Sequence, residues 1–560
     1  MESAPVESAS GRTVALATGA ATAIAALFSF MPVFDTDVGW HVAVGRLILA
    51  GRFPRTNALS WTAPDHPWYP TSWLFDVLSA LAADFLPGTL GLQILTLAFL
   101  AAFAYLLARA CVREDPHFGA WIAPAVTVLL VPRIVPRPHI TAWAALAAVL
   151  WLGPLSTRAR GIAVCVVAFA GNLHSGAAFA AGALGLYCLE AFHRSRRRVE
   201  LALALACGAA LLLNPGATFN LRYLYDHLHV QEVVRLVEFD RPTLASQPAF
   251  FVLLPIAVAL AAWRARERPA LFAATLVFAG LSLRAARMTF EFEIVAAPTF
   301  ASALLELRRR HGVRAAALAT VLFAIGCAAS RRADQWAATL RLGPRWNERL
   351  VPVRVAEFVR QNGLSGPHFN SFSDGGYLEY ALPALPAFLD ARVQAYPVEL
   401  LRELQEAERS RPSFDAFLRA RGAEWAITTR IRERLGGFRL LDQPGWALVY
   451  WDGIDEVWLR RDVPRFKPLI DSLEYRHFRP YGSIVGTVAQ LPAGELRQLW
   501  EEIDRYEKTS RGDPFALIVR CGAARRLELS DAAQVCQTAS VVAPSPEARL
   551  LALKAAALHP

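Results

Sequence analysis

The sequence predicts a polytopic α-helical membrane protein that carries a C-terminal α/β plus helical domain outside the membrane. Three observations predict it. First, 54% of the 560 residues are hydrophobic and the mean hydropathy is +0.31, too apolar for an ordinary soluble chain. Second, the apolar residues crowd into positions 1–330, in runs of roughly 14 to 21, near or a little under the length that crosses a bilayer. Third, every second loop between those runs is basic, as the positive-inside bias requires. The remaining 230 residues have the mixed charge and scattered Pro and Gly of soluble protein.

The expected spans, about eleven by this length criterion, are 13–33, 88–108, 117–132, 139–155, 160–173, 176–192, 200–214, 247–263, 269–284, 292–307 and 312–330. The first follows Arg12, is longer than the apolar core of a signal peptide and ends without a small-x-small cleavage pattern, so it reads as an uncleaved span. The basic loops hold Arg109 and Arg113, Arg158 and Arg160, Arg194 with Arg196 to Arg198, Arg264 with Arg266 and Arg268, and Arg308 to Arg310 with Arg314. They set the N-terminus in the cytoplasm and put Asp35, Asp37 and everything beyond residue 330 on the outer side. A net charge of +10 would suggest nucleic acid in a soluble protein, but here the arginines sit in membrane loops.

The first outer loop, 34–87, carries two amphipathic stretches. In the first, Trp40, Val44, Leu47 and Ile48 share a helical face, with His41 at its edge and Arg46 pointing away. In the second, Leu74, Val77, Leu78, Leu81 and Phe85 do so. Segments of this kind lie in the membrane interface, where Trp61, Trp68 and Trp73 also suit the headgroup level. Beyond the transmembrane domain, 331–462 reads as an α/β domain. It has a helix at 353–363, strands at 368–371, 387–389 and 424–428, a helical pattern at 398–421 and a hairpin at 447–460 that turns at Asp452-Gly453. Residues 463–560 read as mostly helical. Four of seven cysteines lie in apolar runs and no C-x-x-C or His/Cys cluster occurs; Cys521 and Cys536 either pair in an oxidising compartment or stay as buried thiols.

The chemistry gathers at the outer surface. Asp35 and Asp37, two apart, share a side where the backbone is extended. One carboxylate can take a proton from an attacking hydroxyl while its neighbour orients it or holds a divalent metal; the plainer role is to cap a helix. Outer arginines suit a phosphate anion by their fork geometry: Arg137 with His139, Arg284 with Arg287, and Arg46. Their plainer role is contact with lipid headgroups. His174, beside Asn172 and a run of small residues, either faces a cavity or is a hydrogen-bonded structural histidine. His227, His229 and Glu232 have no recognised metal spacing. Ser373-Asp374-Gly375-Gly376 reads as a tight turn and helix cap rather than a phosphate loop, and Asp390 with Arg392 as an ion pair.

The segment DTDVGWHVAVGRLILAGRFPRTNALSWTAPDHPWYPTSWLFDVL resembles the first outer loop of a large group of bacterial polytopic proteins allied to GT-C fold glycosyltransferases. The likeness continues in RPH (137–139), NLHSG (172–176), LLNPGA (212–217), SLRAAR (282–287) and FNSFSDGGYLEYALPALPAFLDARVQAYP (369–397), and so spans residues 13 to about 460. It implies a GT-C fold in the bacterial inner membrane, a sugar donor on polyprenyl phosphate and transfer on the outer side to an acceptor the sequence leaves open. Asp37 would be the base and Asp35 its partner, or both would hold Mg or Mn. Arg137 and Arg287 would face the phosphate, with His41, Arg46, His139, His174 and Arg284 as further substrate contacts. Thr71-Ser72 stand where members of the group carry His-Glu, and Asp76 is the nearest carboxylate. Two rival readings use the same pattern: a flippase for lipid-linked sugars, opposed by the lack of an inverted repeat, and a non-catalytic scaffold.

Overall fold

The computed structural model describes residues 4–217, 219, 237–330, 342–429, 440–479, 488–510 and 512–558. The chain forms two compact units. One comprises 1–57, 67–347 and 393–395, the other 58–66, 348–392 and 396–560.

The first unit is helical. Its elements are α1 (Ala4–Ser29), α2 (Asp37–Leu49), α3 (Trp73–Phe85), α4 (Leu90–Val112), α5 (Ile122–Leu130), α6 (His139–Leu152), α7 (Thr157–Leu173), α8 (Ala177–Ser195), α9 (Arg198–Ala210), α10 (Pro248–Trp263), α11 (Pro269–Arg284) and α12 (Thr289–Ala329). Every segment expected to span lies on one of them. The last two expected spans are joined in α12 across a break at Gly312, whose φ of 85° is open to glycine. Among the described residues, three helical stretches are long and apolar enough to cross a membrane: Gly11–Ser29, Leu90–Val112 and Ala286–Ala329. Gly119–Arg133, His139–Leu152, Pro248–Trp263 and Pro269–Arg284 are apolar but shorter.

Sequence chemistry sets the helix ends. Ser156 caps α7 by accepting from the Ala159 N–H, and prolines open α10 and α11, where a missing N–H costs nothing. The core is built by α4, α5, α6, α10 and α12 around Phe103, Trp143, Phe250 and Phe292. Thr96, Thr127 and Thr275 turn their hydroxyls back onto the carbonyl four residues earlier, so these buried polar atoms are satisfied within their own helices. Leu16, Phe169, Leu205, Val252 and Leu318 point outward and are exposed, the inverse of a soluble surface and the arrangement hydrocarbon favours.

The amphipathic stretches of the first loop fold as α2 and α3, which pack on each other. Their faces differ from expectation. α2 buries Val38, His41, Val42, Val44 and Gly45; of the expected stripe only Val44 is buried, while Trp40, Leu47 and Ile48 are half-buried. α3 buries Phe75, Asp76, Ser79 and Ala80 and leaves Leu81 and Phe85 exposed. The small and polar faces meet because Gly45 lets the backbones touch: a Cβ there would run into the Asp76 carbonyl.

The second unit contains α13 (Val353–Gln361), β1 (His368–Asn370), α14 (Gly375–Ala381), α15 (Val398–Ala407), α16 (Arg411–Ala420), β2 (Trp425–Thr429), β3 (Trp446–Trp451), β4 (Asp455–Arg460) and α17 (Lys467–Leu473). Helices α18 (Ala493–Glu507), α19 (Pro514–Arg526), α20 (Ala532–Val542) and α21 (Pro546–Ala556) follow. The sheet order is β1-β2-β4-β3. β1 and β2 are parallel, with His368 opposite Trp425, and the connection between them passes through α14 to α16. β4 runs antiparallel to β2 and β3, with Ala426 opposite Trp458. The strand expected at 387–389 is instead a single bridge between Ala387 and Ser60. The pattern at 398–421 is two helices, separated where Ser410 caps α16. The Asp390–Arg392 pair forms at 2.5 Å, with Glu379 and the Tyr396 hydroxyl completing it. Asp374 sits at the N-cap of α14 without a side-chain capping bond. Cys521 and Cys536 are joined in a disulfide that ties α19 to α20.

Candidate functional site at the acidic lip

The chain leaves α1, turns, and enters α2 at Asp37. The Asp35 Oδ1 accepts from the Asp37 N–H at 3.0 Å, so Asp35 folds over the first turn of α2. Thr36, between them, is helical rather than extended (φ −69°, ψ −23°), yet the two carboxylates converge because one guanidinium gathers them. Arg137 Nη1 lies 3.2 Å from Asp35 Oδ2 and Arg137 Nη2 lies 2.9 Å from Asp37 Oδ2. Arg137 stands just before α6, so residues a hundred positions apart meet at one point. Burial works against the Arg137 charge, but Asp35, Asp37 and Glu238 outweigh it and hold its proton more firmly than usual.

A second cluster adjoins the first. Glu238 accepts from Arg133 Nη1 at 2.6 Å and from Arg287 Nη1 at 3.0 Å, and Arg287 also stacks over the Phe239 ring at 4.8 Å. Burial would raise the Glu238 carboxyl. Arg287, Arg133 and Arg137 overcome it and bring it down to about 2. His174 lies in the same positive field: burial, then Arg287, Arg137 and Arg133, push it down to about 3. Its ring is therefore neutral at ordinary pH, and Nδ1 accepts from the Gly176 N–H at 2.9 Å. Ends of α1, α6, α7, α11 and α12 thus bring three arginines and three carboxylates to one end of the bundle.

Other expected site residues have different tasks. His41 is buried between α2 and α3, its Nδ1 2.6 Å from Asp76 Oδ1; a face that looked interfacial in sequence is an internal seam. Arg46 pairs with Asp84 across the far ends of α2 and α3, both side chains exposed. His139 donates from Nε2 to the Arg133 carbonyl at 2.8 Å and packs edge-on to Trp143, so it holds the loop that carries Arg133 and Arg137. Arg284 is exposed at the end of α11. His227, His229 and Glu232 lie outside the described residues.

Arg133 and Glu238 were missed as site residues. The signal for Arg133 was its spacing of four from Arg137 in VPRIVPRPH; Glu238 gave none. The asparagines of NLHSG and LLNPGA prove to be fasteners. Asn172 accepts from Trp73 Nε1 at 2.7 Å, and its amide donates to the Ala168 and Leu213 carbonyls. Asn214 donates to the Thr71 and Gly171 carbonyls. Together they lock the start of α3 to the end of α7.

Among the described residues no third His, Cys, Asp or Glu joins Asp35 and Asp37, and the Arg137 fork bridges the two; a Mg or Mn ion held there would take its remaining oxygens from water and a substrate phosphate.

The fold is that of GT-C glycosyltransferases, and solved structures of that class are similar to this chain. The archaeal oligosaccharyltransferase AglB from Archaeoglobus fulgidus, in complex with an inhibitory peptide and a dolichol-phosphate, matches at a TM-score of 0.52 and 13% identity, over 92% of this chain and 86% of that one. An Archaeoglobus fulgidus oligosaccharyltransferase complex with Zn and sulfate matches at 0.50 and 11%, over 73% and 68%. ArnT from Cupriavidus metallidurans, bound to undecaprenyl phosphate, matches at 0.48 and 12%, over 80% and 98%. No protein-family model matches the sequence, and no curated protein does.

Proposed function

We propose that this protein is a membrane glycosyltransferase that moves a sugar from a polyprenyl-phosphate donor to an acceptor on the outer side of the bacterial inner membrane. The observation that carries the reading is the Arg137 fork across Asp35 and Asp37, with Arg133 and Arg287 beside it. Asp37, paired with Arg137, takes the proton of the acceptor hydroxyl as its oxygen bonds to the sugar C1. The bond from C1 to the phosphate oxygen breaks, and the phosphate leaves with the electron pair. Arg287 and Arg133 stabilise the charge that develops there. Asp35 holds the first turn of α2 and shares Arg137, so it positions Asp37. His174, neutral, is a hydrogen-bonding contact rather than a cation.

The topology belongs to the same proposal. About eleven spans, a cytoplasmic N-terminus and residues 331–560 outside put the lip at the outer surface, supported by the alternation of basic loops. The lipid bilayer and a polyprenyl-phosphate-linked sugar are the partners; nucleic acid is not.

The test is Asp37→Asn in purified protein supplied with labelled lipid-linked sugar. Transfer falls by about 10²- to 10⁴-fold, the contribution of a positioned base, while the variant keeps its thermal midpoint within a few degrees. Unchanged transfer by a folded variant rules out the proposed base. Appearance of a new glycosidic bond, rather than relocation of intact donor, separates a transferase from a flippase.

A further inference from the structure

A cavity of about 420 Å³ opens at the opposite end of the helical unit. The acidic lip is made by the start of α6, the end of α7 and the end of α11. This cavity lies among the end of α4, the end of α6, the start of α7, the end of α8 and the starts of α9 and α11, so the two sites are at opposite ends of the same helices. Its lining includes five arginines, Arg113, Arg160, Arg194, Arg197 and Arg268, against three glutamates, Glu114, Glu190 and Glu200.

The glutamates are spoken for. Glu200 takes Arg160 in a two-pronged pair at 2.7 and 2.6 Å. Glu190 takes Arg194 at 2.8 Å, and Glu114 takes Arg268 at 3.0 Å. Arg113 and Arg197 are left without a carboxylate among the described residues. Arg113 donates to the Trp151 carbonyl at 3.0 Å; burial and then Arg268 lower its hold on its proton, and Glu114 only partly offsets them. The Tyr187 phenol also lines the cavity, and its hydroxyl makes no hydrogen bond among the described residues. Leu150, Leu271 and Pro298, all buried, form the apolar floor of the lining.

We propose that this cavity is a binding site for a phosphate anion, held by Arg113 and Arg197 with the Tyr187 hydroxyl donating to it. Two guanidinium groups that make no direct ion pair with a carboxylate among the described residues suit the spread oxygens of phosphate better than a lone carboxylate. The apolar floor beneath them accommodates the first carbons of a lipid tail, so the phosphate has two sources: a phospholipid headgroup or a soluble phosphate. The site does not depend on the glycosyl-transfer reading, because it shares no residue with the acidic lip.

The experiment is calorimetric titration of the full-length protein in a nonionic detergent with dioctanoyl phosphatidic acid, dioctanoyl phosphatidylcholine and inorganic phosphate. Phosphatidic acid is expected to bind saturably, and about tenfold more weakly in Arg113→Gln, the loss of one charge-assisted contact. Lys467→Gln, an exposed change in the second unit outside both sites, retains the wild-type titration. Should Arg113→Gln fail to fold, Arg197→Gln, an exposed change at the start of α9, carries the same expectation. Inorganic phosphate binding as tightly as phosphatidic acid, with the same loss in the variants, supports the anion site and assigns it a soluble source. The proposal is overturned if phosphatidylcholine binds as well as phosphatidic acid, if neither anion binds, or if both arginine variants titrate like the wild type.

Discussion

At the scale of single residues, charge complementarity organises the lip. Arg137 is pinned by two carboxylates and Glu238 by two arginines, so each ion offsets the burial cost of the next. Glu238 makes this testable by pH. Its folded value of about 2 lies below the ordinary 4.5, so its ionised form stabilises the fold fully above the ordinary value. That contribution is lost as pH falls toward 2. In thermal melts across pH, the wild type should exceed Glu238→Gln by a constant margin above about pH 5, and the margin should shrink below it. An unvarying margin down to pH 3 would show that Glu238 is not ionised by its arginines. His174 has a folded value of about 3, also below its ordinary one, so it stays neutral over the working range. Glycosyl transfer by His174→Gln should keep the same acid limb as the wild type, because the wild-type ring gains no proton until about pH 3.

At the scale of elements, the seam between α2 and α3 shows where helical periodicity misleads. Both helices carry an apolar stripe, and a stripe ordinarily marks the buried side. Here the apolar stripe of α3 turns outward, and the seam is made by Gly45, Ser79, Ala80 and the His41–Asp76 pair. In a bilayer the outward face is solvated by hydrocarbon, so small and hydrogen-bonding residues are what bring helices together. Gly45→Ala forces the two backbones apart and should destabilise the protein by about 1–3 kcal/mol, the usual cost of overpacking. The matching change Gly19→Ala, in open space on α1, should leave the melting temperature unchanged. Equal melting of the two variants would mean that the seam is not the close contact described. The pair also explains the Thr71-Ser72 departure: the carboxylate nearest that position, Asp76, is fully buried on His41 and is occupied in holding α2 against α3.

At the scale of the whole molecule, the proposed topology sends residues 331–560 to an oxidising compartment. The disulfide between Cys521 and Cys536 accords with it, because such bonds persist outside the cytosol. Mass spectrometry of protein alkylated in intact cells should find this pair protected until reduction, whereas both thiols would alkylate at once if the domain were cytosolic.

Much of this architecture was legible beforehand. Hydropathy marked the described apolar helices of the first unit, because each carries an apolar run, and amphipathic spacing marked α2 and α3. The hairpin at Asp452-Gly453 and the strands at 368 and 425 were equally plain, written by turn residues and β-branched or aromatic runs. Asp35, Asp37, Arg137 and Arg287 stood out because ionisable residues at the end of an apolar run are conspicuous. What only the tertiary structure decided was which charge answers which: that Arg137 bridges both aspartates, that Glu238 draws Arg133 to Arg287, and that His41 and Arg46 have partners of their own. Pairing of that kind depends on distances between residues a hundred positions apart. Those distances are set by helix packing, which side-chain spacing along one helix does not encode.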